Sequence, residues 1–338
     1  MKLLDFSKQI FDELNSAIPW QKNILDFLEE WNSVSPFVPS KTSGSTGTPK
    51  EIKLPKASMK MSAQMTGEFF GLKPGDSALL CMPVNFIAGK MMIVRAMELK
   101  LKLYCVEPKS KIDLNFADSL DFVPMTPMQV ENSFDELSKI RILLIGGAPL
   151  SEPLRKRLLE IPTQSFESYG MTETITHIGL KKISEEFFII LKGIEIRQDE
   201  RECLIIQTPY FEEEIITNDI VEIKDKNQFK WLGRADNVIN SGGIKLFPEQ
   251  IEKKLKPFIE TEFIISSLPD ETLGQKLILI LEGQKNDYSE LLEMLPPSTL
   301  EKFEKPKAIY FLDKFPRTES GKLQREKIRE KIISFLAK

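Results

Sequence analysis

The sequence predicts an α/β fold: a parallel sheet with helices on its faces, then short antiparallel strands, then a small α+β end. Two observations carry the first part. Apolar runs such as "ALLCMP" and "IRILLIGG" have the length and bounding turns of buried strands. Each is followed by a turn and then by a helical pattern, and that alternation is the signature of parallel strands joined through helices. The third observation is a change of texture near residue 187. From there "EFFIILKGIEIRQ", "ECLIIQTPY" and "DIVEIKDKNQFKWLG" read as short antiparallel strands forming a β subdomain.

Taken in order, residues 5 to 31 carry apolar residues at helical spacing (Phe11, Leu14, Ile24, Phe27, Leu28, Trp31), broken at Pro19. "PKASMKMSAQMTGEFFGL" reads as a helix whose methionines are core packing. "KPGDSALLCMP" is a turn and a buried strand, "AGKMMIVRAMELK" a helix, and "LKLYCVEP" a strand. "SKIRILLIGGAPLSEPLRKRLLEI" repeats strand, glycine turn and helix. In such sheets ligands gather at the loops after the strands' carboxyl ends. A last region starts near Asp236, with the helix "PEQIEKKLKPFI", the apolar stretches "FIISSLP", "KLILILEG" and "KAIYFLDKFP", and a charged terminal helix. This gives two domains, residues 1–235 and 236–338.

The chain has 338 residues, 41% hydrophobic and 28% charged, with a formal net charge of -4. That balance suits a globular enzyme and gives no attraction to nucleic acid or to an anionic membrane. Cys81, Cys105 and Cys203 form no metal-ligand spacing and fit a reducing compartment. The N-terminus lacks the apolar core of a signal peptide, and no apolar run reaches a membrane span, so a cytoplasmic protein is expected. Oligomeric state is not legible.

Residues 42 to 50 read "TSGSTGTPK". Gly44 and Gly47 let backbone N–H groups approach an anion; Thr42, Ser43, Ser45 and Thr46 add hydroxyls, and Lys50 adds a point charge. Composition alone leaves a phosphate loop and a plain Ser/Gly/Thr turn equally open. The spacing is not that of a Walker A loop, because Lys50 follows Pro49 rather than glycine, and no G-x-G-x-x-G opens a helix after a strand.

What the stretch resembles is the phosphate loop of the adenylate-forming superfamily of acyl-CoA synthetases, luciferases and adenylation domains. Four further segments match in order: "SYGMTET" (168–174), "TND" (217–219, usually T-G-D), "GRADNVINSGGIKLFPEQIE" (233–252) and "PRTESGKLQR" (316–325). The resemblance implies the adenylate-forming fold, a large N-terminal α/β domain with a β subdomain and a small mobile α+β C-terminal domain. It also implies ATP, Mg²⁺ and CoA. Thr42 to Lys50 would cradle the β- and γ-phosphates. Tyr169, with Gly170, would lie against adenine, Thr172 would contact the α-phosphate, and Glu173 would hold Mg²⁺. Asp219 and Arg234 would bind the ribose, and Lys322 would bridge the carboxylate and α-phosphate oxygens. Asp236 matches the hinge, and Ser241, Gly242 and Gly243 would line the pantetheine tunnel. Lys245 would meet a CoA phosphate or simply solvent. Gly146, Gly147 and Ala148 resemble the turn beside adenine and the acyl group.

Within that superfamily the details resemble o-succinylbenzoate–CoA ligases of menaquinone biosynthesis, on "IGGAPL", "GMTETITHIGL" and "MPVNFIAGKMMIVRAM". The chain departs from them in being shorter ahead of the phosphate loop, in Phe86 standing where many carry histidine, and in Asn218 replacing glycine. Phe86 is either an aromatic wall of the acyl pocket or a plain core residue. Lys90 or His177, if not an unpaired surface lysine and a packed histidine, would meet the substrate's second carboxylate. Three alternatives stand beside this reading: a CoA ligase for another aryl or medium-chain acid, an adenylation module serving a carrier protein, and a non-catalytic nucleotide binder.

Overall fold

The computed structural model describes residues 1–41, 51–284, 295–317 and 323–336. The chain opens with strands, not the helix that the spacing from residue 5 predicts. β1 (Lys2–Asp5) and β2 (Ile10–Phe11) pair with each other, and the buried Leu4 faces the core. The Asp5 carboxylate accepts from the Ser7 and Lys8 amides and turns the chain between them. α1 (Pro19–Asn32) begins at the proline instead of breaking there. At the first helical position the missing N–H is no loss, and the fixed φ is already helical. β3 (Phe37–Lys41) and β4 (Glu51–Pro55) form an antiparallel pair closing at Lys41 and Glu51. The expected phosphate loop, Thr42, Ser43, Gly44, Ser45, Thr46, Gly47 and Lys50, lies outside the described residues between them.

α2 (Lys56–Phe70) follows, with Ser58, Ser62 and Thr66 buried at four-residue spacing on one face. Then come β5 (Ser77–Leu80), α3 (Ile87–Leu99), β6 (Lys102–Cys105), β7 (Leu120–Met125), α4 (Pro127–Asn132), β8 (Ile140–Ile145), α5 (Glu152–Leu159) and β9 (Gln164–Gly170). Strands β6, β5, β7, β8 and β9 lie side by side and parallel, with β1 antiparallel to β6 at one edge. Their residues alternate between two cores. Leu80, Phe122 and Leu144 face one apolar cluster, while Leu79, Val123 and Leu143 face the other. A sheet covered on both faces needs near-continuous apolar strands, which is why these read as unbroken runs.

β10 (His177–Lys182) turns back antiparallel to β9, and β11 (Phe188–Ile190), β12 (Glu195–Gln198), β13 (Cys203–Gln207), β14 (Ile215–Asp225) and β15 (Gln228–Arg234) continue from it. The strands expected as a β subdomain of the N-terminal part hydrogen-bond into the same 13-stranded sheet as the parallel strands. The β9–β10 reversal supplies the continuity: an antiparallel turn leaves no crossover to separate the two parts.

The end of the chain holds β16 (Ile239–Ser241), β17 (Ile244–Leu246), α6 (Pro248–Leu255), β18 (Phe263–Asp270), β19 (Gly274–Glu282), β20 (Ala308–Leu312) and α7 (Arg325–Leu336). Alternation again divides the core, with Phe263, Ile265 and Leu279 against α6 and Ile264, Ile278 and Ile280 against α7. These two clusters draw on residues 239–332, and the two of the large sheet draw on residues 4–229. No described helix is long and apolar enough to cross a membrane.

Candidate active site

Four neighbouring parallel strands, β5, β7, β8 and β9, send their carboxyl ends to one edge of the sheet. The segment after β5 presents Phe86, 53% exposed, just ahead of α3. After β8 come Gly146, Gly147 and Ala148, with the Gly146 amide tied to Met125 O of β7 at 3.1 Å. β9 ends on Tyr169 and Gly170. A Cβ on Gly170 would sit 2.4 Å from Thr176 O and 2.5 Å from His177 Cα. Glycine there is what lets β10 fold back against β9. The turn between them carries the exposed Glu173 and the nearly buried Thr172.

Tyr169 lies edge-on to Phe229, 5.0 Å between ring centres, and its hydroxyl donates to Asp219 Oδ2 at 2.7 Å. Burial, and then the Asp219 charge, raise the phenol's pKa well above its ordinary value. Arg234 Nη1 reaches the other oxygen of Asp219 at 3.3 Å, because Asp219 and Arg234 are register partners in β14 and β15. The three polar residues expected around the nucleoside thus form one cluster. Asn218 is not idle either: its Oδ1 accepts from Arg201 Nη1 at 3.0 Å.

Lys90 Nζ is engaged by Glu30 at 3.1 Å and by Pro39 O at 2.7 Å. His177 is buried, its two ring nitrogens facing the hydroxyls of Thr66 (3.1 Å) and Thr176 (3.2 Å). Burial, with the nearby Arg95 charge, holds its pKa well below the usual imidazole value, so the ring is neutral. The buried cation of this region is Arg95, on α3, 2% exposed. It donates Nε to Thr66 Oγ1 at 3.3 Å and Nη2 to Thr176 Oγ1 at 2.6 Å. No carboxylate among the described residues pairs with it, and burial alone lowers its pKa to about 10. The sequence signal was an arginine inside the apolar helix stretch "MMIVRAM", which helical packing alone does not call for.

Asp236 is exposed in a short 3-10 turn, 3.8 Å from Arg234. Gly242 and Gly243, at φ 58° and 82°, make the two-residue hairpin turn from β16 to β17. Both central residues need positive φ in such a turn. Ser241 closes the pair with Ile244, and Lys245 meets Glu202 at 2.6 Å. Lys322 lies outside the described residues.

Among the described residues no group of three or more His, Cys, Asp or Glu could hold a metal by itself. An exposed lone carboxylate such as Glu173 suits a Mg²⁺ ion that takes its other oxygens from phosphates and water.

The family model for AMP-binding enzymes matches residues 36–188. A solved acyl-CoA synthetase (AMP-forming)/AMP-acid ligase II-like protein from Dyadobacter fermentans is 36% identical, covering 96% of this chain and 97% of that one, at a TM-score of 0.62. The chain belongs to the AMP-binding enzyme family. Two further members are more distant. A 2-succinylbenzoate–CoA ligase of Bacillus cytotoxicus is 24% identical over 95% of this chain and 74% of its own. The O-succinylbenzoate coenzyme A synthetase of Bacillus subtilis, solved with ATP and magnesium, shares the fold at a TM-score of 0.76 and 20% identity, covering 86% and 69%. The adenylate-forming fold is therefore the fold of this chain, and membership in this family makes it an acid–thiol ligase.

Proposed function

We propose that the protein activates an aryl dicarboxylic acid of the o-succinylbenzoate kind, forming its acyl-adenylate and then its CoA thioester. The observation that carries the substrate class is Arg95. A guanidinium buried beside the β9–β10 turn, with hydroxyl partners and no carboxylate among the described residues, is left short of a counter-charge. A second carboxylate on the substrate would supply it, in the forked geometry that arginine favours. The 2-succinylbenzoate–CoA ligases among the relatives act on an acid of this class, which supports the reading.

In the first half-reaction a carboxylate oxygen attacks the α-phosphorus of ATP, a new O–P bond forms, and pyrophosphate leaves. Thr172 would steady the α-phosphate, and Lys322 would neutralise charge shared by the carboxylate and α-phosphate oxygens. Glu173 would hold Mg²⁺, which supplies positive charge to the phosphate oxygens. Thr42 to Lys50 would cradle the outgoing phosphates, while Asp219, Arg234 and Tyr169 fix the nucleoside between Gly147 and Gly170. In the second half-reaction the CoA thiolate attacks the acyl carbon and AMP leaves. We read residues 236–338 as the part that swings about Asp236 between the steps, bringing Ser241, Gly242 and Gly243 to the thiol's path. Phe86, Gly146 and the neutral His177 would border the acyl group.

The test is to incubate the protein with MgATP, CoA and matched acids with and without the second carboxylate, following pyrophosphate and thioester separately. o-Succinylbenzoate should be the preferred acid, and Arg95→Met should raise its KM about 10- to 100-fold, a larger factor than its effect on the KM for ATP. Equal turnover of a monocarboxylic aryl acid by both forms would make the enzyme a ligase for another acid. No pyrophosphate from any acid would favour a nucleotide-binding homologue.

A further inference from the structure

The turn that carries Thr172 and Glu173 is held in a conformation its own residues resist. Ile175 is fully buried and sits at φ 67°. A β-branched residue with positive φ is a true outlier. The Thr176 amide donates across it to Thr174 O at 2.7 Å, closing a three-residue turn of the strained kind. Such a turn persists only where its surroundings over-determine it.

Two groups from outside the turn do this. Arg95 holds Thr176 Oγ1, as described. The other is Tyr210, in the segment between β13 and β14, whose hydroxyl donates to Thr174 O at 3.0 Å. That carbonyl is the same acceptor that closes the turn. Tyr210 is itself anchored, since its own carbonyl accepts from Ser58 Oγ of α2 at 3.0 Å. Burial raises its pKa, so the hydroxyl keeps the proton it donates. The serine stripe of α2 thus reaches the turn through one tyrosine.

We propose that Tyr210 is a positioning residue for adenylation: its hydroxyl fixes the strained Thr174–Thr176 turn and so presents Glu173 and Thr172 to MgATP. The proposal rests on the reading of Glu173 as the Mg²⁺ ligand. A residue missing one hydroxyl would leave the ring packed and the turn free to relax, misplacing the carboxylate one residue before Thr174.

The test compares Tyr210→Phe, Ser58→Ala and Glu173→Gln with the native enzyme, reading single-turnover pyrophosphate release against Mg²⁺ concentration, thioester formation from supplied acyl-adenylate, and Tm. Tyr210→Phe should slow adenylation about tenfold and raise the half-saturating Mg²⁺, as loss of one hydrogen bond would. KM for the acid, thioester formation and Tm should stay close to native. Ser58→Ala, which keeps the hydroxyl but loosens its anchor, should move the same way by less. An equal loss in both half-reactions would mark Tyr210 as merely structural and overturn the proposal. So would a shift of Mg²⁺ dependence in Glu173→Gln with none in Tyr210→Phe. If Glu173→Gln itself leaves the Mg²⁺ dependence unmoved, the reading of Glu173 fails and takes the proposal with it.

Discussion

The hydroxyl of Tyr169 donates to Asp219 at 2.7 Å, and Arg234 takes the other oxygen of the same carboxylate. One aspartate is therefore held from two strands while each oxygen keeps a lone pair for a further donor. Tyr169→Phe would keep the ring against Phe229 and remove only that bond. It should raise the KM for ATP about three- to tenfold with a small effect on kcat, and Asp219→Asn should do so more strongly. Steady-state kinetics with ATP and acid varied separately decide this. An equal rise in both KM values would take the cluster away from the nucleotide.

His177 is the chain's single histidine, so its titration has one source. Its folded-state pKa is depressed well below the ordinary 6.5 by burial and by Arg95. The unfolded chain takes up this proton as pH falls through about 6.5, and the folded chain does not. The stability contributed by the neutral ring is thus present above about pH 6.5 and is lost progressively below it, at up to about 1.4 kcal/mol per pH unit. Denaturant midpoints should fall between about pH 7 and pH 5 in the native protein and less steeply in His177→Gln. The imidazole resonance should stay flat across that range in the folded state, and a folded-state midpoint near 6.5 would defeat the assignment.

The fold was legible where packing follows period. The alternating cores behind "RILLI" and "KLILIL" need apolar residues on both faces, and those runs read directly as strands. Residues 2–11 misled because spacing near Phe11 and Leu14 mimics a helix, while pairing with the distant β6 decides their state. Of the candidate site, the sequence marked motif positions, and three of them, Tyr169, Asp219 and Arg234, lie in contact in the fold. The contacts of Arg95 and Tyr210 were not legible, since each joins segments far apart in sequence. No local pattern shows that an arginine in an apolar helix lacks a carboxylate among the described residues.

Lys245 of β17 pairs with Glu202 of the β12–β13 turn at 2.6 Å, and Lys253 of α6 pairs with Glu152 of α5 at 3.0 Å. Both bridges join residues beyond 236 to segments before it, one a helix and one a turn, in the present arrangement. If the chain's end swings about Asp236, Glu202→Lys should weaken this arrangement and change the ratio of the two half-reaction rates by about two- to fivefold, the scale of an exposed pair. The exchange Glu202→Lys with Lys245→Glu should restore it. Asp236→Pro, restricting the turn, should slow thioester formation from supplied adenylate more than adenylation. Identical ratios in all three proteins would remove the swing.

Glu252 of α6 is half-buried and accepts from both terminal nitrogens of Arg325 as well as from the Ile265 amide at 2.6 Å. Burial pushes the Glu252 carboxyl up, an effect that Arg325 offsets only in part. The pair ties the start of α7 to α6 and β18, three residues after Lys322 in the sequence. Removing one partner leaves a charge partly cut off from water, a loss below the ~3–5 kcal/mol of a fully buried pair, whereas replacing both with apolar residues can be nearly neutral. Arg325→Met and Glu252→Leu should therefore each lower Tm sharply, and the double variant should recover most of it. Lys322→Ala should leave Tm unchanged and abolish adenylation, while thioester formation from supplied acyl-adenylate survives. If the stability-restored double variant adenylates at the native rate, the pair serves only the fold. If it stays slow, the ion pair also sets where Lys322 reaches.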